Sequence, residues 1–223
     1  MNMEVCFTSR KELATDVWEY SFDSAIPMDF IPGQYAKFWF ANDTSLGGRT
    51  FTFTSAPGAA TSSFIVRFPN PMSDYKQRLI AMKPGEVMKH EQPMGDAILP
   101  RDTATPLVFI AQGIGIASYI ALLRECQEKK LPFKIDVFWT RRTSDTQLKR
   151  CFEPFLSRFV TLHEFDSTSR LNQEGVMPII REQTLVYLSG SQSFVEAIGA
   201  QLEGSGILRE RLIYDYYEGY TTL

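Results

Sequence analysis

The chain has 223 residues, of which 44% are hydrophobic and 22% charged. That composition belongs to a folded globular protein and excludes intrinsic disorder, collagen-like repeats and a disulfide-stapled miniprotein. Basic residues number 23 and acidic residues 26, for a formal charge of −3, which speaks against an electrostatically driven nucleic-acid binder.

The first hundred residues read as β-structure. Phe38-Trp39-Phe40 lies in an aromatic strand, and Thr50-Phe51-Thr52-Phe53-Thr54 alternates strictly. That period of two puts Phe51 and Phe53 on one face and the threonines on the other. Ser63–Phe68 is a further strand. Turn signals at Ile31-Pro32-Gly33, Gly47-Gly48, Ala56-Pro57-Gly58, Pro69-Asn70-Pro71 and Lys83-Pro84-Gly85 separate these runs, as in a small barrel or sandwich. One short helix, about Asp74–Met82 with Ser73 as its N-cap, interrupts them.

The pattern changes after Pro106. Leu107–Ala111 is a continuous apolar run, as in a strand buried on both faces. Glycines follow, then an amphipathic helix through Glu128. Ile135–Trp139, Phe159–His163, Leu185–Leu188 and Arg211–Tyr216 read as later strands. Capping-box spacings at Ser144-Asp145-Thr146-Gln147 and Ser193-Phe194-Val195-Glu196 open two of the intervening helices. Strands alternating with helices imply a parallel sheet. The expected architecture is therefore a two-domain chain: an antiparallel Greek-key β-barrel over residues 1–101, then a doubly wound α/β domain with a parallel sheet over residues 102–223.

Three segments carry candidate chemistry. Gln112-Gly113-Ile114-Gly115-Ile116-Ala117-Ser118 sits between a buried strand and a helix. Glycines there let backbone approach a ligand, and the helix start offers N–H groups to a phosphate. The same segment also reads as a tight turn with no ligand. The second strand of this half ends in Thr140-Arg141-Arg142, where NAD-selective sheets carry an acid. Arg141 and Arg142 would attract a 2′-phosphate, or form a solvated charge pair. Arg49-Thr50-Phe51-Thr52 combines an arginine able to grip a pyrophosphate, a ring able to pack on a planar group and a hydroxyl able to bond its edge. A ligand-free amphipathic strand explains the same residues.

Taken together, these segments resemble the ferredoxin–NADP reductase-like flavoproteins. Phe30-Ile31-Pro32-Gly33-Gln34-Tyr35 resembles the approach to that family's flavin strand, and Arg49-Thr50-Phe51-Thr52 its flavin signature. Met72-Ser73-Asp74-Tyr75 is similar to the segment that holds the flavin pyrophosphate, and Gln92-Pro93-Met94-Gly95-Asp96 to the end of the barrel. Gly113-Ile114-Gly115-Ile116-Ala117 resembles the nucleotide phosphate loop, Tyr187-Leu188-Ser189-Gly190-Ser191 the loop beside the nicotinamide, and Tyr217-Glu218-Gly219-Tyr220 an aromatic tail of some members.

The resemblance implies that FAD, with FMN as the smaller alternative, lies on residues 1–101 with its ring facing the second domain. It implies that NADPH or NADH binds residues 102–223 and gives hydride to the flavin, and that electrons leave to a ferredoxin- or flavodoxin-type protein or a small molecule. By position, Arg49, Thr50, Phe51, Thr52, Arg67, Met72 and Ser73 would hold the flavin. Arg49 would neutralise its pyrophosphate, Phe51 would stack on it and Thr52 would bond near its reactive nitrogen. Gly113, Gly115, Ile116, Arg141, Arg142 and Gly190 would hold the pyridine nucleotide, and Tyr220 would shield the flavin. Thr52 and Ser189 would be the catalytic positions. Ser189 and Ser191 replace the family's cysteine and proline, a change that slows or reshapes hydride transfer. Ser118 replaces its proline and loosens the helix start.

The remaining features are bland. Cys6, Cys126 and Cys151 have no spacing suited to a disulfide framework, an iron–sulfur cluster or a zinc site, and read as reduced thiols of a cytoplasmic protein. No metal site is expected. Met1–Leu13 lacks the apolar core of a signal peptide, and the longest apolar runs are too short to span a bilayer. Ser189–Ser193 does not match the nucleophile elbow of a serine hydrolase. His90 and His163 read as strand residues, and Trp18 as packing. The alternative to a reductase is a non-catalytic flavin-binding electron-transfer or interaction subunit of a larger redox complex.

Overall fold

The computed structural model describes residues 3–26, 28–142, 145–166, 168–169 and 171–217. They fall into two compact units that divide between Ile98 and Leu99.

The first unit is an antiparallel sheet of β1 (Met3–Ala14), β2 (Val17–Asp23), β3 (Tyr35–Phe40), β4 (Arg49–Thr52), β5 (Thr61–Arg67) and β6 (Val87–His90), with one helix, α1 (Asp74–Ile80). The strand order is β4-β3-β6-β1-β2-β5. The two outermost strands meet where Phe53 bridges Phe64 and the Thr54 N–H donates to the Ser63 carbonyl at 2.8 Å. That contact closes the sheet on itself and removes exposed edges.

Alternation supplies the core. In β3, Ala36, Phe38 and Phe40 are buried while Lys37 faces out. Phe7, Tyr20, Phe22, Phe51, Phe53 and Phe64 complete an aromatic interior. Each such ring contributes about 2–3 kcal/mol through lost water contact. The two polar rings find partners: Tyr20 donates to the Leu79 carbonyl at 3.2 Å and Tyr75 to the Phe38 carbonyl at 2.9 Å. Both bonds tie α1 to the barrel. His90 also points inward, stacked on Phe38 at 5.3 Å, with Nδ1 2.7 Å from the Glu91 carbonyl. Its Nε2 is buried with no hydrogen-bond partner among the described residues. Burial holds the imidazole pKa below its ordinary value, against the pull of the Glu91 bond.

The second unit is a parallel sheet of β7 (Leu107–Gln112), β8 (Ile135–Thr140), β9 (Val160–Phe165), β10 (Leu185–Ser191) and β11 (Leu212–Tyr217). Its order is β11-β10-β7-β8-β9, so the chain reverses direction of travel between β7 and β10. The connecting helices are α2 (Ile120–Glu128), α3 (Thr146–Phe152), α4 (Gln173–Val176) and α5 (Gln192–Gly204). Val108, Ile110, Phe138, Val186 and Leu188 pack one sheet face against Val195, Ile198 and Leu202 of α5. On the other face Phe109 stacks on Tyr119 at 4.5 Å.

Helix starts differ from the expected ones. Ser191, not Ser193, caps α5 by accepting the Phe194 N–H. The reason is that β10 runs to Ser191 and passes straight into the helix. The N-cap of α3 is Asp145, and its side chain makes no capping bond; its carboxylate accepts the Arg142 N–H at 3.0 Å instead. Ser144 lies outside the described residues. No helix among the described residues is long and apolar enough to cross a membrane.

Candidate functional site

Each unit carries one candidate site. On the barrel, β4 begins with Arg49. Its Nη1 donates to the Gly48 carbonyl at 2.9 Å, and its guanidinium lies 5.3 Å from the Tyr75 ring centroid. The Lys76 ammonium donates to the Arg67 carbonyl at 2.7 Å. Burial lowers the Lys76 pKa first, and the charges of Arg67 and Arg49 lower it further. The opposing acid is Asp16, 3.9 Å from the Arg67 Nε. Three cations thus share one patch at a mutual cost. A polyanion on that patch removes the cost, so the residues fit a diphosphate.

The other barrel candidates divide. Thr50 is exposed and Met72 packs partly against the core. Ser73 is the N-cap residue of α1, but its hydroxyl makes no capping bond. Thr52 is nearly buried at 7% exposure. Phe51 is 8% exposed, and one face of its ring is taken by Phe64 at 4.1 Å and 7° inside the barrel, not left open as the sequence reading assumed. The same alternation that identified the strand turns this ring inward.

In the second unit the site is the carboxyl edge where β7 and β10 lie side by side, the switch point at which open α/β sheets take ligands. Gly113 opens a 3-10 segment, Gly113–Tyr119, that precedes α2; its turns are tighter than those of an α-helix. Gly113 has φ +54° with open space around its α-carbon. Gly115 is held against β10, where a Cβ would lie 2.5 Å from the Ser189 carbonyl oxygen. Ile116 is buried. Beside Gly190, the Ser191 hydroxyl donates to the Gln112 Oε1 at 2.8 Å. Backbone therefore lines this edge, and a nucleotide phosphate can approach closely.

Beneath the edge two serines named from the sequence, Ser189 and Ser118, meet an acid that sequence reasoning missed, Asp215. The wholly buried Ser189 hydroxyl donates to Asp215 Oδ2 at 3.0 Å and sits 3.3 Å from the Ser118 hydroxyl. Burial raises the Asp215 pKa, and the bonds from Ser118 and Ser189 only partly offset it. A lone acid among the aromatics of Ile213–Tyr217 was the available signal. Lys76 gave none.

Arg141 and Arg142 part company. The Arg141 Nε donates to Glu164 Oε1 at 2.7 Å, while the Arg142 side chain is exposed. Tyr220 lies outside the described residues. His163 stacks on Phe138 at 4.5 Å and contacts Asp136 at 2.8 Å on the sheet, as a strand residue. Among the described residues no three His, Cys, Asp or Glu side chains converge as a metal site requires.

No family model matches the chain. A ferredoxin–NADP⁺ reductase from Plasmodium falciparum superposes with a TM-score of 0.79 at 14% identity, covering 97% of this chain and 96% of that one. Phthalate dioxygenase reductase, described as moving electrons from pyridine nucleotides to a [2Fe-2S] centre, gives 0.79 at 16% identity over 99% of this chain and 70% of its own. This chain has the ferredoxin–NADP reductase-like fold. Flavohemoglobin from Malassezia yamatoensis, with bound FAD and heme, shares the fold with a TM-score of 0.81 at 17% identity, over 97% of this chain and 60% of that one.

By sequence, this ferredoxin reductase-like chain is 21% identical over 215 residues to a Bacillus cereus flavohemoprotein, covering 84% of the chain and 53% of that protein. It is 32% identical over 105 residues to the anthranilate 1,2-dioxygenase electron transfer component of Acinetobacter baylyi, covering 46% of the chain and 29% of that protein. The chain spans about half the length, or less, of these curated relatives.

Proposed function

We propose that this chain is a NAD(P)H-dependent flavoprotein reductase. The observation that carries the reading is the presence, in one chain of this fold, of a three-cation patch on a barrel and a backbone-lined switch point on a parallel sheet. When bound, FAD would accept hydride from NAD(P)H and release electrons to a separate acceptor, either a ferredoxin- or flavodoxin-type protein or a small molecule.

The chain's own residues bind and orient. Arg49, Arg67 and Lys76 neutralise the flavin diphosphate, with Thr50, Met72 and Ser73 along its path. The Thr52 hydroxyl bonds the ring edge. Gly113, Gly115, Ile116 and Gly190 bring backbone against the nucleotide, whose adenosine end extends toward Arg141 and Arg142. Ser189 borders the nicotinamide, and Asp215 is a positioning residue that acts through it. A cytoplasmic setting belongs to this reading and is supported by three cysteines present as thiols.

One observation favours the second reading, a flavin-binding electron-transfer subunit without hydride chemistry. The Ser189 hydroxyl is buried and engaged with Asp215, and in this second reading that bond keeps it from the nicotinamide. Purified protein decides between the two. A yellow preparation bleached anaerobically by NADH or NADPH is the expected result. A yellow preparation that neither nucleotide bleaches supports the subunit, and a folded preparation that takes up no flavin overturns both.

A further inference from the structure

The pairing of β8 with β9 places Glu164 beside Trp139. Both lie at the carboxyl end of the sheet, where the adenosine half of a dinucleotide is selected in doubly wound folds. Trp139 and Arg141 are two residues apart and share a face. The Trp139 indole N–H donates to the Gly113 carbonyl at 2.8 Å, and the Arg141 guanidinium sits 5.9 Å from the Trp139 ring centroid. A continuous line of contacts therefore runs from the glycine turn to Glu164.

Glu164 ends that line as a bridge. Oε1 accepts from Arg141 Nε at 2.7 Å, and Oε2 accepts from the Lys149 ammonium of α3. The three side chains are 19–31% exposed, so the cluster is open to a ligand and not sealed in the core. Burial of Glu164 raises its pKa, but the bonds from Lys149 and Arg141 outweigh burial and keep it below the ordinary carboxylate value. At neutral pH it is an anion held by two cations.

A 2′-phosphate on a ribose carries about −1.5 to −2 charge at neutral pH. It binds where cations lack an anion. Here a carboxylate already stands against two of the cations on offer. A neighbouring Asp145 carboxylate, buried at 2% exposure, accepts the Arg142 N–H and adds negative potential beside the third. A 2′-hydroxyl meets no such opposition, because a carboxylate accepts its hydrogen bond.

We propose that Glu164 is a coenzyme-specificity residue: it takes the place of a phosphate between Arg141 and Lys149, and so makes this chain select the nucleotide that lacks the 2′-phosphate, NADH. The claim rests on the reading of this unit as a pyridine-nucleotide site and goes beyond it by naming the nucleotide.

Calorimetric titration of the purified full chain with NAD⁺, NADP⁺, 5′-AMP and 2′,5′-ADP tests it. Wild type should bind NAD⁺ and 5′-AMP in preference to their 2′-phosphorylated counterparts. Glu164→Gln should move the NADP⁺-to-NAD⁺ affinity ratio toward NADP⁺ by about tenfold or more, because like-charge opposition is removed. A merely structural role would weaken both nucleotides together and leave the ratio unchanged. A wild-type preference for NADP⁺, or an unmoved ratio in folded Glu164→Gln, overturns the specificity claim and leaves the nucleotide site standing. Binding of none of the four compounds overturns the site and the claim together. If Glu164→Gln does not fold, the wild-type order of affinities alone decides: NAD⁺ ahead of NADP⁺ upholds the claim, and the reverse order overturns it.

Discussion

At the carboxyl edge of the parallel sheet the site is made of backbone: Gly113 turns in open space at φ +54°, Gly115 sits against β10, and the Ser189 carbonyl lies where any side chain on Gly115 would go. On the barrel the site is made of side chains: Arg49, Arg67 and Lys76 come from β4, β5 and α1, and their charges raise one another's cost. The first kind of site tolerates no added atom. The second tolerates substitutions but depends on a ligand to offset its charge. The two units should therefore fail differently.

Gly115→Val should have the largest effect. Its Cβ would meet the Ser189 carbonyl oxygen at 2.5 Å, and the opposing atom is strand backbone that cannot swing away. Overpacking of this kind costs about 3 kcal/mol. Urea denaturation should show the loss, with nucleotide binding gone and flavin binding kept. Unchanged stability would mean that the turn yields more easily than its packing indicates.

Arg49→Ala should weaken FAD retention by about 2–3 kcal/mol, because diphosphate charge is left without its partner, while the folded apoprotein is unharmed. Equilibrium dialysis of FAD against both proteins measures it. A variant that holds FAD as tightly as wild type removes Arg49 from the site.

Acid sensitivity separates the units further. The His90 pKa is held below 6.5 in the folded barrel, so the folded state binds fewer protons than the unfolded one. Stability from this group is complete above pH 6.5 and falls as pH drops below it, by at most about 1.4 kcal/mol per pH unit. His90→Gln should flatten the dependence between pH 5 and 7, measured by chemical denaturation. An identical slope in the variant would assign the acid loss elsewhere.

The smallest expected effect is at Asp215. Its folded pKa is raised above 3.8, so its contribution is fully present below that pH and is lost as pH rises through the folded value. Asp215→Asn should remove this slope and leave the protein slightly more stable at neutral pH. It should also alter the pH profile of flavin reduction by the nucleotide, which a purely structural role would not. A profile that matches wild type would strip Asp215 of its positioning role.

Much of the fold was legible because it rests on local periodicity. The strict alternation of Thr50–Thr54 set Phe51 and Phe53 on one face of the strand, although Thr52 and Thr54 on the other are buried as well, and the apolar run at Leu107–Ala111 marked the central strand β7. The partner of each side chain was not legible. Phe51 was offered to a flavin, and only the approach of β5 shows that Phe64 takes its face. Ser193 reads as the cap from its spacing to Glu196, and the continuation of β10 gives that place to Ser191 instead. Glycines announced the switch point because a backbone-built site needs them at fixed places in the chain.

The amino-acid order alone did not show the strands β1 and β6 or the short helix α4, but it determined the alternation of strands and helices after Pro106, the change from barrel to parallel sheet, and the glycine turn between β7 and α2. Those depend on neighbours within a few residues, whose spacing is written in the chain. Tertiary structure decided which charges meet: Lys76 with Arg49 and Arg67, Ser118 and Ser189 with Asp215, Glu164 with Arg141 and Lys149. Ser189 and Asp215 are 26 residues apart and Ser118 and Ser189 are 71 apart. Strand register pairs Ser189 with Asp215, and the packing of the Gly113–Tyr119 segment against β10 adds Ser118; both follow from burial over the whole sheet, so no local pattern carries them.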